Sequence, residues 1–579
     1  MSPKAPVQVY SFSAGLLDPT SMGRLDLKSY YSGARTATNL APQPLGGMSR
    51  RAGWSMVAEI PDAGSGVRLA PFEYNQDAAY LHVLTDGKAR VFHDDALTAT
   101  LTGTPWTAAR LPDIDFAQQL ATMVVVHPDV KPKRILRQGS DTSWGIDDVP
   151  LTGIPTNKFD GTTAEAVWSD ARGWPVSVLF HQGRTYFGGS RSLPDSVWGS
   201  NSGEYWAFDE RMVSSSDQTP LDDTAVSAVL GGGGGSAVRR MLATDDLFIF
   251  SDGGAWTVKS SSEAIKPDTF LPLMQSEVWS ANVRPVVVEG SVVYMSSSDD
   301  GAHSSIYELT WDDQAQSYYA RDLALRCPSI MRTPVGMDVR LSSDGHSAST
   351  LVVVNSDGSL AVLTPNRFEN ITAWTLWETE GEVLDVAVLV NTVYVVIKRT
   401  IAGVVRYFLE KLDAAASLDC STRQTSATAK STWAGLGYLE GHPVTVSCDD
   451  ATQIVRTTVS GGVVTVPYPA SSIEVGLDYG WTLEPMPPEV QLADGTLVGR
   501  KYRINRVSVR VDQTRELKIN GKHQPFMRFG ASRFNVAQPP YSGIVTRALL
   551  GWTRGGSVIL SGVEPRAATI LSITLEIAQ

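Results

Sequence analysis

Leu351-Val352-Val353-Val354-Asn355-Ser356-Asp357-Gly358-Ser359-Leu360-Ala361-Val362-Leu363 reads as two apolar strands joined by a tight turn. Asp-Gly and Asn-Gly-like turns supply the positive φ values that short hairpins demand. The same idea recurs imperfectly from about residue 70 to 412. Ala79 to Leu84 precedes Thr85-Asp86-Gly87, and Met123 to Val126 begins the next unit. Val176 to Phe180 meets His181-Gln182-Gly183 and then Thr185 to Phe187. Leu247 to Phe250 meets Ser251-Asp252-Gly253-Gly254, and Val286 to Val288 meets Glu289-Gly290 and then Val292 to Met295. Val386 to Val390 meets Asn391 and then Val393 to Ile397. With the opening stretch this makes about seven units, spaced roughly 40 to 65 residues apart. Four-stranded propeller blades repeat every 40–50 residues or so, and irregular loops stretch that period. The reading is a mainly β protein built on an irregular β-propeller of six or seven blades, over residues 71–412. A propeller also protects the edges of its short sheets. A string of β-sandwiches is the rival reading.

Either side of this region the pattern changes. Residues 1–70 read as an N-terminal arm and platform. Asp26 is placed to cap a short helix from Leu27 to about Thr38, with Leu27, Tyr31 and Ala34 on one face. Pro42 and Pro44 would stop that helix, and Gly46-Gly47 supports a hairpin turn before Arg50-Arg51. Those two arginines are either solvated strand residues or a salt-bridged contact to a neighbouring subunit. Residues 413–579 form a C-terminal β-rich block. Pro443 to Val446, Ile454 to Val459 and Val463 to Tyr468 are three short strands, enough for a small β-barrel or sandwich at about 420–475. Tyr502 to Val511 alternates, with Ile504, Val507 and Val509 on one face, and Val558 to Leu560 and Ile570 to Ile577 close the chain.

The bulk numbers agree with a folded, turn-rich β protein. The chain has 579 residues, 42% hydrophobic and 19% charged, with 50 Gly, 32 Pro, 15 Trp and 18 Tyr. That length predicts two to four domains. A formal charge of −12 argues against gripping nucleic acid through its phosphates, which needs a basic face. Three cysteines, Cys327, Cys420 and Cys448, make no Cys-x-x-Cys pair, so a zinc site, a redox motif or a disulfide-stapled fold is not expected. The first residues, Met1 to Pro6, lack the apolar core of a signal peptide. The most hydrophobic stretch, Val383 to Ile397, is interrupted by Asp385 and Asn391 and is too short to span a bilayer. Folding in a reducing cytoplasm, without membrane insertion, is the expectation.

No enzyme is legible. The eight histidines are scattered and none has a metal-ligand spacing, and there is no Gly-x-Ser-x-Gly elbow. Adjacent acidic pairs such as Asp94-Asp95, Asp222-Asp223, Asp299-Asp300, Asp312-Asp313 and Asp449-Asp450 read as surface turns. Neighbouring strand residues point to opposite faces and serve joint acid–base work poorly. Ser251 to Trp256 has the flavour of a sialidase Asp box with the wrong spacing, and Ser343-Asp344-Gly345 and Ser356-Asp357-Gly358 lack the Trp. The five-glycine run Gly231 to Gly235 is not followed by Gly-Lys-Ser/Thr and reads as a surface connection. No metal, cofactor or catalytic residue is expected.

The segment from Gly23-Arg24-Leu25-Asp26 to Gly46-Gly47-Met48-Ser49-Arg50-Arg51-Ala52-Gly53 resembles the opening of the tail nozzle (tail tubular protein B-like) proteins of short-tailed bacteriophages. That opening is a Gly-Arg-x-Asp turn, a Tyr/Gly/Arg stretch, an Asn, and a Pro-x-Gly-Gly-x-x-Arg-Arg-x-Gly hairpin. The likeness continues in order through Val178 to Gly189, Pro194 to Trp206, Tyr318 to Leu323, Ala373-Trp374, Thr379 to Gly381, Leu409 to Leu412, Tyr438 to Gly441 and Gly476 to Tyr479. The chain departs from the pattern in being shorter than many such proteins and in having Gly441-His442-Pro443 where Gly-Lys is commoner. The resemblance implies a non-enzymatic virion protein of the short tail, a homohexameric ring below the head-to-tail adaptor. It would contact tail fibre or distal tail-tip proteins and enclose a channel through which double-stranded DNA passes. Distal loops would close that channel before infection. Gly23, Arg24, Asp26, Gly46, Gly47, Arg50 and Arg51 are the subunit or adaptor interface residues the motif implies. Six copies at −12 each would carry −72, and acidic lumen walls would repel DNA within about 8 Å. The alternatives are a tail spike or receptor-binding propeller with glycan hydrolase chemistry, and a cytoplasmic propeller scaffold.

Overall fold

The computed structural model describes the chain except for residues 1–3, 25, 76, 211–219, 232–235, 261–262, 298–303, 343–347, 368–370, 490, 493–494, 498, 527–535 and 579. The five-glycine run (all but Gly231), Asp299-Asp300 and Ser343-Asp344-Gly345 lie outside the described residues. Among the described residues, seven successive four-stranded antiparallel blades are laid out from Arg68 to Asp413, the last of them completed by a strand from the N-terminal region. Blade 1 begins with Arg68–Glu73, blade 2 with Asp115–Gln119 and blade 3 with Ser177–His181. Blades 4 to 7 begin with Val238–Ala243, Val286–Val288, Pro334–Arg340 and Glu382–Leu389. First strands pack together between blades 2 and 3, 3 and 4, 5 and 6, and 6 and 7, and that of blade 7 packs on that of blade 1. The molecule is a β-propeller, and the seven strand–turn–strand units legible in the sequence fall one to a blade. The sandwich reading is overturned, because the sheets share a single axis instead of pairing face to face.

The packing follows from the two-residue side-chain period of a strand. Val352 and Val354 in blade 6 face Val393, Val395 and Ile397 of blade 7. Their neighbours Leu351 and Val353 turn the other way, towards Met295 and Ile306 of blade 5. Each blade is buried on both faces, so its inner strands read as continuous apolar runs. Seven separate cores, one per seam, result; the seam between blades 7 and 1 holds Ala387, Leu389, Val396, Leu409, Leu69, Leu81 and Val83.

The ring is closed from outside the 71–412 segment. The fourth strand of blade 7 is Gly53–Glu59, which pairs antiparallel with Val404–Asp413. The first 60 residues are therefore not a free-standing arm and platform. Lys4–Val9 pairs with the last strand, Thr569–Ala578, and Gly33–Thr38 pairs with Trp481–Pro485. The expected helix from Leu27 to Thr38 is absent. Tyr30–Ser32 is a single 3-10 turn, and Gly33–Thr38 is a strand. Asp26 caps nothing there; its carboxylate is held by Arg24. A short isolated helix is marginal, whereas this stretch gains a ladder of partners and buries Ala34 and Ala37 in the core with Trp481, Leu483, Val507, Val509 and Ile573. The hairpin at Gly46-Gly47 forms as expected, Leu40–Pro42 against Met48–Arg50.

In the C-terminal block, the expected strands appear as Pro443–Cys448, Gln453–Thr458 and Val464–Leu477. A fourth, Asp419–Trp433, is long and polar, and nothing in its hydrophobic pattern announces it. The four strands extend the blade 7 sheet instead of forming a detached barrel. Bulges between Asp419–Trp433 and Val464–Leu477 bend them over a core of Trp433, Leu439, Val446, Val466 and Val475. Strand Arg503–Thr514 buries Ile504, Val507 and Val509, as its alternation predicts.

Candidate functional site

The residues singled out by the N-terminal motif separate into two groups. Gly23, Arg24 and Asp26 lie at the surface. Arg24 holds Asp26 through two bonds, Nε to Oδ1 at 2.8 Å and Nη2 to Oδ2 at 2.7 Å, and a Cβ on Gly23 would meet open space. The other four are built into the subunit. Gly46, at φ +89°, gives its carbonyl to the Phe12 N–H, and a Cβ there would fall 2.7 Å from that of Ser11. Gly47 lies against Ile570 and Leu571. Arg50 donates to the Ser417 carbonyl at 2.8 Å and stacks on Tyr479.

Arg51 is only 2% exposed, which corrects both expectations for it: it is neither a solvated strand residue nor a contact to a neighbouring subunit. Its guanidinium grips Asp419 in a bidentate pair, Nη1 to Oδ1 at 2.8 Å and Nη2 to Oδ2 at 2.6 Å. Nε donates to Asn39 Oδ1 at 3.0 Å, and the remaining protons go to the carbonyls of Ala52 and Glu378. The Tyr479 ring lies 3.7 Å from the guanidinium carbon, and its hydroxyl donates to the Arg51 carbonyl.

A second buried pair stands beside the first. Arg399 holds Glu410 through Nε to Oε1 at 2.6 Å and Nη2 to Oε2 at 2.8 Å. Thr379 links the two, donating its hydroxyl to Asp419 Oδ2 and accepting from Arg399 Nη1. Burial alone would raise the Asp419 carboxyl, but the Arg51 charge overcomes it and holds the group below its ordinary range. Glu410 is pushed up by burial, against the pull of Arg399. Two charges so paired and bonded are tolerated in a core; either one alone is not.

This joint ties four parts of the chain: the N-terminal hairpin, the end of blade 6, blade 7 and the start of the C-terminal sheet. Gly53 makes the approach possible, since a Cβ on it would sit 2.1 Å from the Leu418 carbonyl oxygen. Asn39, Arg51, Gly53, Thr379, Glu410 and Tyr479 all belong to motifs read from the sequence. Asp419 and Arg399 do not, and no local signal marks them, because Arg51 and Asp419 are 368 residues apart. On its solvent side the joint opens into a groove of about 640 Å³ that carries Arg50, Arg423, Arg515 and Arg566 with Asp450 and Glu474. Asp450 is held by Arg515 at 2.8 Å, and Glu474 accepts from Ser417 and Leu418. Among the described residues no three His, Cys, Asp or Glu side chains gather as a metal site, the three cysteines are free and buried, and no helix is long and apolar enough to cross a membrane.

The chain matches no protein-family model and no curated protein. Among solved structures it is similar to the WD40 domain of Neurospora crassa Pan2, with 8% identity over 63% of this chain and 95% of that one, at a TM-score of 0.36. The WD40 repeats of RRP9 share 9% identity over 61% of this chain and 100% of theirs, at 0.34. Chaetomium thermophilum Raptor shares 11% over 63% of this chain and 29% of its own, at 0.39. The likeness is one of fold alone. This chain's own strand pairing defines the class: a seven-bladed β-propeller closed by an N-terminal strand and locked to a C-terminal β-sheet block.

Proposed function

We propose that this protein is a non-enzymatic structural subunit of the tail nozzle of a short-tailed bacteriophage. Six copies would form a ring below the head-to-tail adaptor, around a channel for the ejected DNA. One observation carries the reading. Six residues from the separate motifs that resemble the nozzle family, lying between positions 39 and 479, come together in a single buried joint. Motifs that are unrelated by chance have no reason to converge in space. A joint of this kind suits a load-bearing ring subunit, because it fixes hairpin, propeller and C-terminal sheets as one body. The acidic balance of −12 per chain suits a wall that DNA passes without adhering. With Arg51 inside the subunit, Gly23 and the surface pair Arg24–Asp26, with Arg50 at the groove, are what remains of the motif for a neighbour to contact, in the ring or at the adaptor. The test is a cryo-EM map of the particle that encodes the chain. A six-fold ring of this subunit around an axial channel, directly beneath the adaptor, is the expected result. Density only in lateral appendages, or a trimer, would replace the nozzle with a tail spike.

A further inference from the structure

Three arginines sit where the seven first strands meet. Arg68 opens the first strand of blade 1, Arg240 lies on that of blade 4, and Arg284 lies two residues before that of blade 5. A cavity of about 310 Å³ lies on the propeller axis, lined by Arg68, Arg284, Phe116, Leu242, Asp338 and Asp385 among others. Arg240 shares a face of its strand with Leu242, two residues on, and is 1% exposed. Its Nη2 reaches only the Ile114 carbonyl, at 3.3 Å, and its Nε has no hydrogen-bond partner. The buried Nε of Arg68 is likewise unpartnered, and its Nη1 stands 3.6 Å from Asp385. Arg284 lays its guanidinium over Phe116, 4.2 Å from the ring centre. Burial lowers the Arg240 guanidinium to about 10; Asp115 opposes this, and the charges of Arg68 and Arg284 add to it.

The neighbouring carboxylates have other work. Asp115 Oδ2 accepts from the Ser177 hydroxyl at 2.6 Å and the Val178 N–H at 3.2 Å, joining blades 2 and 3. Asp338 accepts from the Val388 N–H at 2.7 Å, joining blades 6 and 7, and Asp385 from the Leu69 N–H at 2.7 Å, joining blades 7 and 1. Each aspartate clasps the backbone of the next blade, so its lone pairs are directed at seams. The Nε donors of Arg68 and Arg240 are left without acceptors. A buried donor with no acceptor is costly, and the cavity is many times the size one water needs.

We propose that the axial cavity of the propeller is a binding site for a small tetrahedral oxyanion of the phosphate class, held by Arg68 and Arg284 from its lining, with the charge of Arg240 beside them. Planar guanidinium forks match such oxygens in pairs. The site is independent of the nozzle reading and would exist in a propeller of any function. The test is isothermal titration of the full chain with inorganic phosphate, with chloride adjusted to hold ionic strength constant. One saturable site per chain is expected. Arg284→Gln, only half-buried, should weaken it at least tenfold while leaving the far-UV circular dichroism and the melting temperature in chloride unchanged. Arg239→Gln, on the same strand but facing solvent, should bind as the wild type does. Arg68→Gln provides a second variant if Arg284→Gln fails to fold. Absence of saturable binding, or full-strength binding by the folded cavity variant, would overturn the proposal.

Discussion

Replacing Arg51 with Met would strand the Asp419 carboxylate in the core. The remaining bonds to it, from Thr379 Oγ1 at 2.7 Å and the Trp54 N–H at 3.3 Å, do not balance its charge. Breaking a buried ion pair from one side costs about 3–5 kcal/mol. With a urea m-value of about 3 kcal/mol/M, the unfolding midpoint falls by roughly 1–1.7 M. Trp54 and Trp377 flank the pair, so tryptophan fluorescence reports on this region directly. The double variant Arg51→Met/Asp419→Leu removes both charges and should recover most of the loss, since apolar replacement of a buried pair is often neutral or better. The pH dependence has a definite sign. Arg51 holds the Asp419 carboxyl below its unfolded value, so the pair stabilises fully above the ordinary carboxylate pKa of about 3.9 and is lost as pH falls through the folded value. The deficit of Arg51→Met is therefore complete at neutral pH and shrinks on acidification towards that range. A single variant that costs less than about 1 kcal/mol would refute the reasoning. So would one that alters subunit assembly while leaving the midpoint in place, which would put Arg51 at an interface.

Gly53→Ala forces a Cβ to within 2.1 Å of the Leu418 carbonyl oxygen; a loss at the top of the 1–3 kcal/mol range for overpacking, or failure to fold, is expected in the same urea assay. His82 is buried against Phe72 and Trp144, and burial pushes its pKa down to about 4. Because the unfolded chain takes up a proton near 6.5 and the folded one does not, stability falls between pH 6.5 and 4, by about 3 kcal/mol in all. His82→Phe should flatten that slope in melts across the same window. Arg24→Ala should leave the unfolding midpoint unmoved, its pair with Asp26 being exposed, while reducing ring or adaptor assembly measured by light scattering if the nozzle reading holds. Deleting residues 1–59 removes the fourth strand of blade 7 and should give a chain that exposes tryptophan and aggregates, visible in fluorescence and size-exclusion chromatography.

The sequence by itself determined the repeat. Gly- or Asn-containing turns between apolar runs are local signals, and each of the seven units read in the sequence is the heart of one blade. The alternation of Arg503–Thr514 was equally legible, because burial on one face leaves a two-residue period. Where one strand is polar, as Asp419–Trp433 is, or where propensity is overridden by a waiting partner, as at Gly33–Thr38, local pattern carries no such information. The Arg50-Arg51 pair marks the limit most clearly. As a sequence it is two cations after a turn, compatible with solvent or a neighbouring subunit. The fold buries one of them against a carboxylate 368 positions away and leaves the other stacked at the rim of a groove. Only the tertiary structure decided that, and only it brought the three axial arginines together, because closing a ring sets distant blades side by side and no spacing along the chain records which residues will meet.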